Sequence, residues 1–381
     1  MEPNLARTNP SLRTGVGPRT LAVLLGCLAA CDEETTAPPT PPLEVTPAPY
    51  GEPYDRLSEW HLFEDFQTQT PASDLIPYDV ISPLFSDYTT KFRFLYVPPG
   101  ASITYSATDT WDFPEGSLLV KSFAHPADVR SPFADLTFVE TRILVREPEG
   151  WVAHTYVYDE TASDAERFVA GKAVPKSFIG PDGETIETDY RIPNTNECKN
   201  CHKLDDDIMP LGPRTRQLDR DHDFGDGPEG QVDALVAKGL LSETIEPAAD
   251  RERLVDYHDE SADLSLRARS YFDANCSACH RTGGEASTSA LLLDFASTDP
   301  ETQPESHWGI CKTPTSAGGA NCGLEFDVVP GRSDLSILIC RMTTLDAEKR
   351  MPPLGSKVVH SEGLELLSAW IDAMPPGDCT P

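Results

Sequence analysis

The sequence predicts an α+β multidomain chain, with an antiparallel β-rich region of sandwich or barrel type followed by an α-helical region. Three observations carry this. From about Trp60 to Asp189 hydrophobicity alternates with period two, and β-branched and aromatic residues are dense. The strand-like runs are separated by turn signals with no helix between them, which favours antiparallel pairing. After Asn196 the alternation gives way to apolar residues at helical spacing.

Taken in order, strands are expected at 91–97, 102–106, 117–123, 137–146 and 151–158. The turns between them are signalled by Pro98-Pro99-Gly100, Pro114-Glu115-Gly116 and Pro148-Glu149-Gly150. Trp60, Trp111 and Trp151 read as core and rim packing. Helices are expected at 231–241, at Leu264–Asn275 and at 363–374, the last with Leu364, Leu366, Leu367, Trp370 and Ile371 on one face. The expected domains are 1–30 (signal peptide), 31–54 (Pro-rich tether), 55–190 (β-rich), 191–262 and 263–381.

Lys and Arg total 31 against 62 Asp and Glu, a formal charge of −31. Such a surface repels phosphate backbones and argues against a nucleic-acid partner. It suits basic docking surfaces on protein partners, although acidity also serves solubility alone.

Arg7, Arg13 and Arg19 precede a short apolar run from Leu21 to Ala30, the pattern of a secretory signal. The run is too short to span a bilayer. Its end, Leu28-Ala29-Ala30-Cys31, resembles the lipobox of bacterial lipoproteins. That resemblance implies cleavage before Cys31, a lipid on Cys31 and a membrane-anchored protein facing the periplasm or cell surface. The Pro/Thr-rich stretch after it favours extended polyproline II, with a reach of about 3.1 Å per residue.

The chain has ten cysteines. Cys27 and Cys31 lie in the leader, and four others sit in two C-x-x-C-H motifs. Cys311, Cys322, Cys340 and Cys379 remain, an even number that suits an oxidising compartment. The expected pairing is Cys311 with Cys322 and Cys340 with Cys379, though sequence leaves connectivity open.

The motifs are Cys198-Lys199-Asn200-Cys201-His202 and Cys276-Ser277-Ala278-Cys279-His280. Two thiols spaced by two residues on a helix can add to the two vinyl groups of one porphyrin. The histidine is then held within reach of the iron. The expected cofactors are therefore two covalently bound haem c groups, with His202 and His280 as proximal iron ligands. A zinc site built from both motifs is the competing reading.

The second motif resembles the c-type cytochrome fold. A helix runs into Cys276, and Arg350-Met351-Pro352-Pro353-Leu354-Gly355 and a closing helix through Trp370 come much later. The resemblance implies His280 proximal, Met351 distal and the two helices packed across each other. Met342 is the competing thioether. The first motif departs from this pattern, because Tyr190-Arg191-Ile192-Pro193 before it is no helix. Met209 and His222 both stand as its distal ligand, beside an open iron. The other histidines read as surface or core residues.

The chain from about 55 to 375 also resembles a family of uncharacterised bacterial di-haem cytochromes. The resemblance is carried by Pro77-Tyr78-Asp79-Val80-Ile81-Ser82-Pro83-Leu84-Phe85-Ser86-Asp87, by Trp111-Asp112-Phe113-Pro114-Glu115-Gly116, by 194–202 and by the Met351 segment. It supports the architecture and leaves the reaction open. Two haem motifs close in sequence favour an exported, lipid-anchored protein passing electrons between redox partners. The alternative is a di-haem oxidoreductase of peroxidase or oxidase type, with the first haem catalytic and the β-rich region holding substrate.

Overall fold

The computed structural model describes residues 41–205, 207–225, 227–242, 244–315 and 321–379. The expected signal peptide and Cys31 lie outside the described residues. Chain contacts divide the molecule into two units, 1–41 and 42–381, and the described strands and helices all lie in the second.

Two short strands, β1 (Phe63–Asp65) and β2 (Thr70–Pro71), pair as a small hairpin. The central element is a six-stranded antiparallel sheet. It contains β3 (Ile76–Pro77), β4 (Thr90–Tyr96), β5 (Leu118–Pro126), β6 (Leu136–Glu147), β7 (Gly150–Tyr158) and β8 (Ala165–Arg167), paired in sequence order. Residues 102–106 add no strand to it. Ile103 N–H bonds the Leu240 carbonyl instead, and Thr104 bridges Asp112.

Side chains alternate across a sheet, so register assigns every residue to a face. One face carries a single apolar core of Phe94 and Tyr96, Leu118 and Val120, Ile143 and Val145, Tyr156 and Tyr158, with the buried Ser122 and Thr141 hydroxyls bonded to each other on the same face. Leu43, Val45 and Ala48 pack on that core, and Thr46 N–H bonds the Trp60 carbonyl. This corrects the expected tether, because its second half is built into the sheet's covering layer. The proline content hides apolar residues that the sheet needs for cover.

The opposite face is divided. At one end Leu95, Val97, Leu119, Leu144 and Trp151 join Trp111, Phe113, Leu218, Val232 and Leu235 in a second core. At the other end stand Lys91, Arg93, Lys121, Phe123, Glu140 and Arg142. A second hairpin, β9 (Lys172–Ile179) with β10 (Thr185–Ile192), borders this end through Tyr190, whose hydroxyl donates to Glu140 at 2.7 Å.

Beyond β10 come α1 (Thr195–His202), the short pair β11 (Lys203–Leu204) and β12 (Asp207–Ile208), and α2 (Thr215–Leu218). The β13 (Asp221–Asp223) and β14 (Pro228–Gly230) hairpin leads into α3 (Gln231–Ala237). The helix expected at 231–241 stops early because Gly239 takes φ +72°, a left-handed geometry suited to glycine. Helix α4 (Leu264–Asn275) matches its expected bounds. It is followed by α5 (Ile337–Thr343) and α6 (Ser361–Asp372).

Helices α4 and α6 cross in the third core, where Phe272 meets Trp370 edge-on at 5.4 Å. Gly363 sits at the crossing, and a Cβ there would overlap the Tyr271 ring. Leu366, Leu367, Trp370 and Ile371 are buried as their spacing requires.

The β-rich and helical regions are joined by polar contacts. Gln231 bonds both backbone groups of Asp79, and the Phe85 N–H donates to Asn275. Phe85 stacks on His360 at 4.0 Å, and the Tyr88 hydroxyl donates to Glu362 at 2.6 Å. Residues 42–381 are thus one unit, and the expected boundaries after 190 and 262 do not separate independent bodies. Mixed α and antiparallel β structure, as expected, is what the fold shows.

The disulfides are Cys311–Cys379 and Cys322–Cys340, which corrects the expected pairing. The expectation favours closing the nearest loop. In the fold, a bridge between Phe326 and Ser336 brings the start of α5 beside the Cys322 segment. The chain's end meanwhile returns past Gly331. Two disulfides fit an oxidising, exported environment. Among the described residues no helix is long and apolar enough to cross a membrane.

Candidate functional site

The first motif occupies α1, whose start is fixed by a capping box. The Asn194 side chain accepts from Glu197 N–H at 2.9 Å, and Glu197 accepts from Asn194 N–H at 2.8 Å. Arg191 pairs with Glu197 at 3.0 Å. No helix leads into the motif, because β10 ends two residues before Asn194. Helix α1 packs against β7, so the motif hangs directly from the sheet.

His202 Nδ1 lies 2.9 Å from the Met209 carbonyl oxygen. A carbonyl can only accept, so the hydrogen is on Nδ1 and Nε2 keeps its lone pair. Burial holds the imidazole neutral, with its pKa pushed down to about 4. The Met209 N–H returns a bond to the His202 carbonyl at 2.6 Å, and the Met209 side chain packs on the second core. Met209 therefore stands on the Nδ1 side of the ring, with its thioether in apolar packing. His222 lies on the β13–β14 hairpin with its ring against Phe224, and its Nε2 has no partner among the described residues.

The second motif follows α4 directly, and Asp263 caps that helix by accepting from Leu266 N–H at 3.0 Å. Ser277 Oγ donates to the Asp273 carbonyl at 2.6 Å, and His280 N–H bonds the Cys276 carbonyl at 3.0 Å. His280 is also held neutral by burial, at about 4, with the Leu291 backbone favouring the proton. Burial pushes the Cys276 thiol up to about 12. Met351 and Met342 line one cavity with Phe85, Tyr271, Asn275 and His360. Met351 N–H is anchored on the Arg341 carbonyl at 2.8 Å.

Sequence reasoning misses that the fold brings the two motifs together. Cys279 Sγ approaches the Asn200 carbonyl at 3.0 Å, and Asp205 N–H donates to Gly283 at 3.0 Å. The Cys201 and Cys279 thiols act on each other, which lowers the pKa of Cys201 and raises that of Cys279. No local signal in the sequence announces such a long-range meeting.

The expectation of metal binding is corrected as regards the protein's own side chains. Among the described residues no three or more His, Cys, Asp or Glu groups are placed to hold a metal ion. Even a catalytic zinc site takes three such ligands, so the zinc reading falls, although two thiols do meet. A porphyrin asks less of the chain, since it supplies four iron ligands itself. The motif residues fit that smaller demand: paired thiols, and an imidazole tied at Nδ1 with Nε2 free. Buried N–H groups without partners also stand nearby, on Arg281 and on Arg350. Such groups are costly unless an acceptor meets them.

Comparison with protein-family models, with curated proteins and with solved structures finds no match to this chain.

Proposed function

We propose that this chain is an exported electron-transfer protein that carries haem covalently at Cys198 and Cys201 and again at Cys276 and Cys279. The observation that carries the reading is the pair of C-x-x-C-H motifs standing side by side, with each histidine half-buried and held neutral by desolvation. When bound, haem supplies a one-electron iron couple. The chain's own part is to bind and tune. His202 and His280 offer Nε2, and the Met209 carbonyl orients His202 as an outer partner does at a metal site. Met351 offers a thioether beside the second motif, which favours a higher potential.

Contact between the motifs suits passage of an electron from one centre to the other. The acidic surface suits a partner with a basic docking face, and lipid on Cys31 would keep the protein at a membrane.

The test is to export the full chain in a bacterium able to attach haem c, then measure its intact mass and its pyridine haemochrome. The expected result is two haems per chain. A mass equal to the bare polypeptide contradicts the reading.

A further inference from the structure

Helices α5 and α6 are joined by residues 344–360, which form neither helix nor strand. With no ladder to fix that backbone, its path depends on side chains and isolated bonds. Met351 stands near its middle. The near end is held within the helical region, by Met351 N–H on the Arg341 carbonyl and Arg341 Nε on the Lys349 carbonyl, each at 2.8 Å. The far end is held by the β-rich region.

The turn that holds it is 84–88, between β3 and β4. Asp87 is fully buried, and its Oδ1 accepts from Val358 N–H at 2.9 Å. Among the described residues, no other side chain outside 350–359 hydrogen-bonds the backbone of 352–359. The Phe85 ring stacks on His360 at 4.0 Å, and the Tyr88 hydroxyl accepts from Ser361 N–H at 3.2 Å. Gly355 comes so close that a Cβ there would lie 3.2 Å from the Ser86 Cβ.

The same turn grips the second motif. Phe85 N–H donates to Asn275 Oδ1 at 2.7 Å, and Asn275 is the residue before Cys276. Phe85, Asn275 and Met351 line one cavity. Turn 84–88 is therefore fastened on one side to the end of α4 and on the other to the segment that carries Met351. Its backbone is costly: Asp87 and Tyr88, neither of them glycine, take left-handed geometry at φ +48° and +59°. Such strain persists where the surroundings demand a placement.

We propose that Asp87 and Phe85 are positioning residues for Met351. Turn 84–88 fixes the 351–360 segment against the second motif, and so keeps the thioether within reach of the iron held by His280. The inference rests on the di-haem reading and adds a role for the β-rich region at the second centre.

The test uses wild type, Asp87→Ala, Asp87→Asn and Phe85→Leu, each exported as full-length holoprotein. Intact mass reports haem attachment, and thermal melting reports folding. Imidazole titration, followed by absorption, reports how readily the thioether leaves the second iron, because imidazole enters only when Met351 is away. Trypsin cleavage after the exposed Lys357, followed by mass, reports opening of the segment without reference to haem. Losing a bond to a buried carboxyl should raise both imidazole affinity at one haem and cleavage after Lys357 about tenfold in Asp87→Ala. Asp87→Asn keeps the acceptor and tolerates the left-handed backbone, so both readouts should stay near wild type. Where Asp87→Ala melts too low to assay, Phe85→Leu carries the same expectation. Faster cleavage with unchanged imidazole affinity makes the turn merely structural and overturns the proposal, as does no change in either. Wild type without haem at Cys276 and Cys279, or imidazole affinity that Met351→Leu leaves unchanged, overturns the reading beneath it, and this inference with it.

Discussion

The two C-x-x-C-H segments share two cysteines and a histidine and little else. The second belongs to a helical core: α4 runs into it, α6 crosses behind it, and two methionines line a cavity beside it. The first is suspended from a β-sheet, reached from a strand and capped by Asn194. The motif therefore fixes only what its own residues must do. The setting decides charge, burial and which side chains lie opposite. The second setting is apolar and helical, whereas the first is built on strands.

Substitutions on either side probe that contrast. The largest effect is expected from Trp370→Ala, which empties the α4–α6 crossing and should cost about 3–5 kcal/mol in chemical denaturation. Gly363→Ala, at the same crossing, should cost about 1–3 kcal/mol by overpacking against Tyr271. If the regions differ as described, both changes should disturb the spectrum of the second centre before that of the first. Tyr88→Phe removes the donor to Glu362 that ties the sheet to α6, a bond to a charged group whose loss should cost about 1.5–3 kcal/mol.

Asn194→Ala acts on the other region. It removes the α1 cap and should cost about 1 kcal/mol in chemical denaturation.

Acid should also act through the sheet. His125 is buried, neither ring nitrogen has a partner among the described residues, and burial lowers its pKa from 6.5 to about 3. Between those values the unfolded chain takes up a proton that the folded chain refuses. Stability therefore falls as pH drops through that window. His125→Phe should flatten the pH dependence measured by denaturant melts at pH 7 and pH 4.

Legibility in the sequence divides along the same line. Strands β4 to β7 and helix α4 are readable because their period of burial is written in adjacent residues. The face of α6 is readable for the same reason, with Leu366, Leu367, Trp370 and Ile371 at helical spacing. The covering role of Val45 and Ala48 is hidden by surrounding prolines, whose backbone preference says nothing about what the sheet lacks. Disulfide pairing fails to read out because loop length is a weak guide once bridges such as Phe326 to Ser336 rearrange neighbours.

The meeting of Cys201 with Cys279 and that of Asp87 with Val358 depend on tertiary arrangement, which local pattern does not encode.

On the proposed function the two centres should be unequal, since Met351 lines a cavity beside the second motif while Met209 packs on the second core. That inequality is tested most directly by absorption and electron paramagnetic resonance spectra of exported Met351→Leu and Met209→Leu proteins. The expected result is one haem turned high-spin in Met351→Leu, with the coordination of both centres unchanged in Met209→Leu. An unchanged spectrum in Met351→Leu, or a new high-spin signal in Met209→Leu, contradicts it.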